Sequence, residues 1–394
     1  MKDVVILSAA RTPIGSFLGK LAAVPAPKLG AAAIQAAVER SGIDGDHVDQ
    51  VIMGNVLQAG QGQAPARQAA IYGGIPKKAG AITVHKVCGS GLRSVMDGAN
   101  GIRAGEWDCV VAGGMESMSG APHLLQRSRK GYRMGDVKVA DSMITDGLWD
   151  PYGNKHMGMC AELCVAKYEL SREAQDAYAL RSYQRAQAAI EAGQFDDELT
   201  VVEVPQRRGD PIKIDKDEEP FAAPLDKMTK LRPAFDKNGT VTAANASKIN
   251  DGAAALVVCS AEQAQAMGSK PLVKLLGQGS VAQEPDWFTT APAAAAKIAL
   301  DRAGLSAADI DRWEINEAFA AVAMVAIRDL ELDEDKVNVR GGAVALGHPI
   351  GCSGARILCT LIHTLVQEKL RYGCVSICIG GGEAASVVIE NLTL

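Results

Sequence analysis

The sequence predicts an α/β fold made of two copies of one unit, with an unrelated segment inserted between them. Three pairs of segments repeat along the chain at nearly one spacing, and helix signals alternate with strand signals inside each copy. The chain has 394 residues, which is too long for one ordinary hydrophobic core. Hydrophobic residues make up 47% of it and charged residues 22%, a composition typical of globular proteins.

The repeated segments define where each copy lies. The pairs are 39–51 with 301–313, 89–94 with 352–357, and 109–117 with 375–386. The spacing is 262 residues for the first pair, 263 for the second, and 267 for the third when Glu383 is aligned with Glu116. We therefore predict three parts: an N-terminal half (1–118 plus 250–270), an inserted loop domain (119–249) and a C-terminal half (271–394).

Each copy contains both helix and strand signals. The stretch "KLGAAAIQAAVERSG" (28–42) is rich in helix formers and stops at Gly42, a residue suited to a left-handed cap. "DQVIMGNVL" (49–57) and "DCVVAGG" (108–114) are short and apolar, as buried strands are. This alternation predicts helices that cover a mostly parallel sheet.

The inserted segment has a different character. It contains a predicted helix that starts after Ser171, a good N-cap residue, and ends at Gly193. The polar, proline-bearing stretch 205–224 then predicts a surface loop.

Composition excludes several classes of function. A net charge of −5 gives no reason to expect nucleic acid as a partner, and no apolar run is long enough to span a membrane. Nine cysteines without a C-x-x-C pattern, and six scattered histidines, predict reduced thiols, a cytoplasmic location and no metal. Neither a complete dinucleotide fingerprint nor a phosphate-binding P-loop is present, so no nucleotide cofactor is expected.

Cys88 lies where a nucleophile could be presented. The strand-like "AITVHKV" precedes it and the helix-like "GSGLRSVMDGANGIRAG" follows it, which predicts a sharp strand-to-helix turn. The unpaired amides of a helix N-terminus favour a thiolate there, and Gly89 and Gly91 would keep side chains away from a substrate. An unpaired cysteine is more often a buried apolar residue. We read Cys109 and Cys259 in that way.

The second copy carries three further candidates. His348 lies among glycines and small apolar residues, a setting also typical of a buried structural histidine. Asn316 and Glu317 stand between a predicted strand and helix, where helix capping is the alternative role. Cys378 ends a strand and is followed by three glycines, whose N–H groups could serve an oxyanion site.

These motifs, in this order, resemble the thiolase signatures. "VCGSGL", "NEAFA", "GGAVALGHPIGCSGAR" and "CIGGGEA" carry the resemblance, which extends over essentially the whole chain. "HMGMCAE" and "KLRPAFDKNGTVTAANAS" are similar to the coenzyme A-binding insertion of the short-chain members, the acetyl-CoA acetyltransferases. The resemblance implies the thiolase fold: two duplicated βαβαβαββ-type halves in a layered α/β arrangement, with an inserted loop domain.

The resemblance also implies roles for single residues. Cys88 would be the nucleophile that becomes acetylated, His348 would activate it, and Cys378 would take the α-proton of a second acetyl-CoA. Asn316 would hold a water that forms one oxyanion site with His348. The amides of Cys88 and Gly380 would form the other. Joining two thioesters requires these parts, because a thiol that carries the acyl group cannot also be the base.

The coenzyme A contacts implied by the resemblance are Leu148, His156, Met157, Leu231, Phe235, Ala243, Ser247, Ala318 and Phe319. Ordinary packing is the alternative role of the apolar members. Pro220 aligns where many relatives carry an arginine near the adenine end, and Lys227 or Lys248 could replace that contact. Phe288 aligns beside the acyl pocket, where several relatives have methionine, so small acyl groups are expected.

The expected reaction is the reversible condensation of two acetyl-CoA to acetoacetyl-CoA and free CoA, with CoA as substrate and product and no cofactor. The alternatives are a thiolase for longer 3-ketoacyl-CoA chains and a non-catalytic acyl or lipid carrier. The resemblance implies a homotetramer, a dimer of dimers joined through residues 129–150. If Cys88 and Cys378 face one substrate, mild oxidation could also link their sulfurs and switch activity off.

Overall fold

The structure is a computed structural model and describes residues 2–222 and 224–394. The strands of its main sheet, β1 to β9, are Val4–Arg11, Gln50–Gly54, Gly80–Val84, Cys109–Ser117, Asn250–Ser260, Val273–Ala282, Arg312–Ile315, Tyr372–Ile379 and Glu383–Asn391. The longer helices, α1 to α8, are Ala26–Ser41, Pro65–Tyr72, Ser90–Ala104, Met157–Tyr168, Arg172–Glu191, Ala291–Ala303, Ala320–Asp329 and Ser353–Glu368.

Shorter elements connect these. Single-turn helices are Glu219–Ala222, Ala261–Ala266 and Ala343–Leu346, and Gly15–Ser16 pairs with the start of β5. Two-stranded ribbons join His123–Leu124 to Ala140–Asp141, Trp149–Asp150 to Lys155–His156, and Val202–Val204 to Ile212–Ile214. Tighter helical turns are Gly45–His47, Ser128–Lys130, Leu225–Lys230, Pro285–Thr290, Ala307–Asp309 and Glu334–Lys336, and Met143–Leu148 is a π-helical turn.

The strand order confirms the internal duplication. The sheet runs β7-β8-β9-β6-β1-β5-β4-β2-β3, so the order outward from β1 (β5, β4, β2) is repeated outward from β6 (β9, β8, β7). β1 and β6 join the halves through the antiparallel pairs Val5–Lys274 and Ile6–Val273. In the first half, β3 pairs with β2 at the edge of the sheet. At the equivalent position of the second half, next to β7, there is one isolated parallel bridge between Trp313 and Val337.

The expectation of a mostly parallel sheet was wrong. Parallel pairing is found only for β2 with β3, β2 with β4, and β7 with β8 among the described strands of this sheet. These are the strands that a covering helix connects. β4 returns to β5 after the insertion, and β8 turns directly into β9, so both of these neighbours are antiparallel.

The helices form layers on the sheet. α1 and α2 cover the outer face of the first half, and α6 and α7 cover the outer face of the second. α3 and α8 pack against each other and against strands of both halves, in one continuous apolar cluster. The middle layer therefore brings the N-termini of two equivalent helices to the same place.

Two glycines make this meeting possible. A Cβ at Gly91, in the first turn of α3, would lie 2.8 Å from the backbone nitrogen of Ala355. A Cβ at Gly354, in the first turn of α8, would lie 2.4 Å from the backbone nitrogen of Leu92. Gly91 therefore leaves room for the other half of the protein rather than for a substrate, which corrects the role that the sequence had suggested. At Gly89, an added Cβ would meet the Ile379 side chain at 2.4 Å.

Local predictions elsewhere are largely confirmed. α1 is followed by Gly42 in the left-handed conformation, with φ of 69°. α5 begins after Ser171, whose hydroxyl oxygen accepts a hydrogen bond from the Ala174 backbone N–H at 3.1 Å. Cys109 and Cys259 are fully buried apolar residues. In the described parts of the chain, none of the helices is both long and apolar enough for a membrane span.

The stretch 205–224 is more ordered than a plain surface loop. It contains a strand, Ile212–Ile214, and the buried carboxylate of Asp217. Asp217 accepts hydrogen bonds from the guanidinium of Arg11 at 2.8 and 2.9 Å, and Glu198 pairs with the same guanidinium. A buried arginine needs such partners, and this one ties the inserted segment to β1.

Candidate active site

A largely apolar cavity of about 380 Å³ opens where the two halves meet the inserted segment. The first half contributes Cys88 to its wall, and the second contributes His348 and Gly380. Eight of the nine residues predicted to contact coenzyme A also line it: Leu148, His156, Met157, Phe235, Ala243, Ser247, Ala318 and Phe319. Leu231 is not among the wall residues. Its side chain is 39% exposed, and its carbonyl oxygen accepts a hydrogen bond from Arg172.

Cys88 occupies the predicted turn between a strand and a helix. β3 ends at Val84 and α3 begins at Ser90. Val87, a β-branched residue, has a φ of 45°, in the left-handed region that such residues rarely adopt. This backbone strain immediately before Cys88 is typical of functional turns, where the rest of the fold holds one residue in place.

Burial dominates the acidity of the Cys88 thiol. Removal from water raises its pKa to about 11, although the backbone N–H groups of Gly380 and of Cys88 itself donate toward the sulfur and act in the opposite direction. Desolvation therefore outweighs the helix and its amides at this half-buried side chain, which favours a neutral resting thiol over the thiolate that the sequence predicted.

His348 is held by its neighbours in one tautomer. Its Nδ1 lies 2.5 Å from the hydroxyl oxygen of Ser353, and that hydroxyl donates its own proton to the carbonyl oxygen of Pro349 at 2.9 Å. The Ser353 oxygen must then accept from Nδ1–H, which leaves Nε2 without a proton. Burial, with a smaller effect of the Arg356 charge, lowers the His348 pKa to about 3. A neutral imidazole with a free Nε2 is suited to accept a proton.

Buried polar atoms lack partners at this site. Nε2 of His348 and both amide atoms of Asn316 have no hydrogen-bond partner in residues 2–222 and 224–394. Both side chains are at least 95% buried. An unsatisfied buried polar group costs free energy, so such groups are typical of sites that receive a ligand or water.

Asn316 and Glu317 do not cap the following helix. α7 begins at Ala320, after Phe319, without a side-chain cap. The Glu317 carboxylate instead accepts hydrogen bonds from the Tyr178 hydroxyl at 2.9 Å and the Ser182 hydroxyl at 2.8 Å. The helix-capping alternative is therefore excluded for both residues.

Cys378 lies at the end of β8 and is fully buried. It belongs to an apolar cluster that includes the cavity residues Phe288, Ala318 and Phe319. Burial raises the pKa of its thiol well above the usual value, and a negative charge on the neighbouring Cys88 sulfur would raise it further. Both thiols are free, so the proposed link between them stays a prediction.

Aromatic side chains form much of the cavity wall. His156 stacks on Phe235 with ring centroids 4.7 Å apart, and Phe235 meets Phe319 edge-on at 6.0 Å. Phe288 packs against Phe319 at 6.4 Å and is 2% exposed. Rings that pack on one another resist displacement, so this wall fixes the cavity's depth.

The two lysines considered for the coenzyme differ in position. Lys248 lines the cavity and donates to the carbonyl oxygen of Ala243, whereas Lys227 is exposed and lies outside the wall. Burial lowers the pKa of Lys248, and the charge of Glu219 partly opposes that effect. Pro220, aligned with the family's arginine, is buried.

Three residues that sequence reasoning did not single out position the His348 segment. The Glu116 carboxylate accepts from the backbone N–H groups of Val56, Leu57 and Gly351 at 2.9 to 3.1 Å, and burial raises its pKa to about 7. Glu116 lies inside a repeated segment, which was the available signal.

Asn250 and Ser353 are the other two. The Asn250 side-chain oxygen accepts from the His348 backbone N–H at 2.9 Å, and its nitrogen donates to the Gly15 carbonyl oxygen at 2.9 Å. Ser353 falls in the repeat 352–357, but its bond to the His348 ring depends on a turn that sequence spacing does not reveal.

Comparison with known proteins identifies the family. A model of the thiolase N-terminal domain matches residues 4–262, and one of the thiolase C-terminal domain matches residues 269–391. The chain belongs to the thiolase family. Thiolase matches therefore cover nearly all of its length, in agreement with the motifs around Cys88, His348 and Cys378.

Individual relatives are similar from end to end. An acetyl-CoA acetyltransferase of Cupriavidus necator is 52% identical over 99% of this chain and 100% of its own. A cytosolic acetyl-CoA acetyltransferase of Gibberella zeae is 52% identical over 100% and 99% of the two chains. The crystal structure of the Bacillus anthracis acetyl-CoA acetyltransferase matches with a TM-score of 0.97, at 41% identity and 100% and 99% coverage. The predicted thiolase fold is confirmed.

The raised pKa of Cys88 makes its alkylation depend on pH. We expect iodoacetamide to modify Cys88 slowly at neutral pH. The rate should rise about tenfold per pH unit toward a pKa of about 11, because only the thiolate reacts. Mass spectrometry of the Cys88 peptide measures this rate, with Cys88→Ala as the blank. A rate that is already constant near neutral pH would contradict a buried neutral thiol.

Proposed function

We propose that this thiolase is an acetyl-CoA C-acetyltransferase, which converts two acetyl-CoA to acetoacetyl-CoA and free CoA through an acetyl group on Cys88. One observation carries the proposal. The Cys88 sulfur lies in the wall of an apolar cavity, with the N–H groups of Cys88 and Gly380 directed at it. When the sulfur attacks a thioester, these N–H groups could stabilise the negative charge that develops on the thioester oxygen.

The first half-reaction transfers the acetyl group to Cys88. The sulfur attacks the thioester carbon of acetyl-CoA, and the thiol proton passes to Nε2 of His348. Since the thiol rests near pKa 11 and the imidazole near 3, this transfer must accompany the attack, when the developing oxyanion compensates the imidazolium. The departing CoA sulfur takes the proton of Cys378, whose thiol is kept protonated by burial.

The second half-reaction forms the carbon–carbon bond. The Cys378 thiolate takes an α-proton from the next acetyl-CoA, and the resulting enolate attacks the acetyl group on Cys88. The Cys88 sulfur leaves and recovers its proton from His348, so that acetoacetyl-CoA forms and each residue returns to its starting state. A water held by Asn316 would form one oxyanion site together with the protonated Nε2 of His348, and the unpaired atoms of both side chains support this role.

The rest of the cavity fits the coenzyme. The eight cavity residues predicted to contact CoA support this, and the assignment of Leu231 stays a prediction. CoA is substrate and product here, and the absence of a metal or other cofactor stays an expectation. Phe288, which is buried against Phe319, favours an acetyl-sized acyl group over the longer chains of the alternative thiolase.

Acetyl transfer to Cys88 tests the proposed function. Incubation with acetyl-CoA should add one acetyl group to the Cys88 peptide of the wild-type protein and none to Cys88→Ala. Cys378→Ala should still be acetylated, but acetoacetyl-CoA formation should fall by about 10²- to 10⁴-fold, because the carbon acid lacks its base. Without acetylation of the wild type, a non-catalytic acyl carrier becomes the better account.

Lys248 provides the cation nearest to a bound coenzyme. Its ammonium group has no carboxylate within 4.0 Å among the described residues, so it can bind a phosphate or carbonyl oxygen of CoA. We expect Lys248→Met to raise the KM for acetyl-CoA by about tenfold with little change in kcat. Lys227→Met is the matched control and should leave KM unchanged. A wild-type KM in Lys248→Met would exclude Lys248 from binding.

The assembly and location are also proposals. Leu125, Tyr132, Met134, Val137 and Val139 are large apolar side chains exposed in the inserted segment, and Met134 is fully exposed. Such a patch supports contact with a second copy, as a homotetramer would provide. A relative named as cytosolic supports a cytoplasmic location. The domain bounds 1–118 plus 250–270, 119–249 and 271–394 likewise stay predictions.

A further inference from the structure

An ion cluster connects two elements that each contribute residues to the cavity wall. The Lys155 ammonium is 2.7 Å from the Asp286 carboxylate. The carboxylates of Asp150 and Asp286 and the sulfur of Cys160 lie within 4.8 Å of one another. Asp150 is 1% exposed, and it also raises the pKa of Lys155, although the hydrogen bond with Asp286 is the larger cause. Lys155 therefore pairs with Asp286, and the buried Asp150 carboxylate adds to the negative charge around it.

The two sides of this cluster belong to two different walls. Lys155 lies in a hairpin of Trp149–Asp150 and Lys155–His156, in which its backbone lies opposite that of Asp150 in the antiparallel strand pair. His156 and Met157, the next two residues, line the cavity. Asp286 lies in the turn Pro285–Thr290, two residues before Phe288, which also lines the cavity. The ion pair thus spans from the hairpin to the Phe288 turn.

The Asp150 carboxylate is held within its own hairpin. The Asp150 side chain accepts hydrogen bonds from the backbone N–H groups of Tyr152 at 3.1 Å and Gly153 at 2.9 Å. A second cationic contact reaches the Phe288 turn from α4, where the Lys167 ammonium lies 4.2 Å from the ring centre of Trp287. The Phe288 turn is therefore held at two adjacent residues, Asp286 and Trp287, which directly precede Phe288.

We propose that the Asp150–Lys155–Asp286 cluster is a latch that sets the chain-length preference of the acyl site by holding Phe288 at a fixed distance from Met157. The inference rests on the proposed acetyltransferase function. Lys155 and Asp286 touch no reacting atom in this account and act through Phe288, so they are positioning residues. Release of the latch lets the Phe288 turn move outward and admits longer acyl chains.

The ratio of two substrates tests the latch. We measure kcat/KM for thiolysis of acetoacetyl-CoA and of 3-ketohexanoyl-CoA with wild type, Lys155→Met and Asp286→Asn. We expect the ratio in favour of the longer substrate to rise about fivefold in each variant, the change that one partly exposed ion pair can carry. The double variant should show the same ratio as either single one, because both changes break one contact. Lys155→Arg should keep the wild-type ratio.

Controls separate the outcomes. Lys78→Met breaks an exposed ion pair with Asp46 and should leave the ratio unchanged. Thermal unfolding reports whether a variant is merely destabilised, which would lower both rates together without changing their ratio. An unchanged ratio in folded Lys155→Met and Asp286→Asn would overturn the latch. Failure of the wild type to cleave acetoacetyl-CoA would instead overturn the proposed function.

Discussion

The close approach of two helix N-termini is the constraint on which the active site depends. α3 and α8 occupy equivalent places in the two halves. At Gly91 and Gly354 their backbones come so close that a Cβ atom would not fit between them. Cys88 lies just before the first helix and His348 just before the second. Cys88 and His348, the proposed nucleophile and base, are 260 residues apart in sequence and line one cavity.

Burial then determines the chemistry of the groups that meet there. Desolvation favours the neutral forms of the Cys88 thiol, the Cys378 thiol and the His348 ring, so these three groups carry no charge before a substrate arrives. The directed N–H groups at Cys88 and the unpaired atoms of Asn316 and His348 remain available for charge that appears only during the reaction. Such a site stabilises a transition state more than a resting state.

Sequence patterns predicted much of this arrangement and missed specific parts of it. The repeats predicted two copies of one unit, and the turn at Cys88 followed from a strand signal next to a helix signal. The protonation state of Cys88 was missed because a helix N-terminus is visible in sequence, whereas the depth of burial is not. Glu116 and Asn250 were missed because their hydrogen bonds join residues far apart in the chain, and no spacing rule describes such contacts.

Acetyl transfer in Gly354→Ala tests the central claim most directly. The added Cβ would lie 2.4 Å from the Leu92 backbone nitrogen and must push the two helix ends apart. We expect single-turnover acetylation of Cys88 to slow by about a hundredfold or more, since a displacement of about 1 Å has that cost. In Gly120→Ala the added Cβ would meet only atoms of Ser117, the nearest being its hydroxyl oxygen at 3.0 Å, so this variant should keep the wild-type rate. A folded Gly354→Ala with undiminished acetylation would contradict the account.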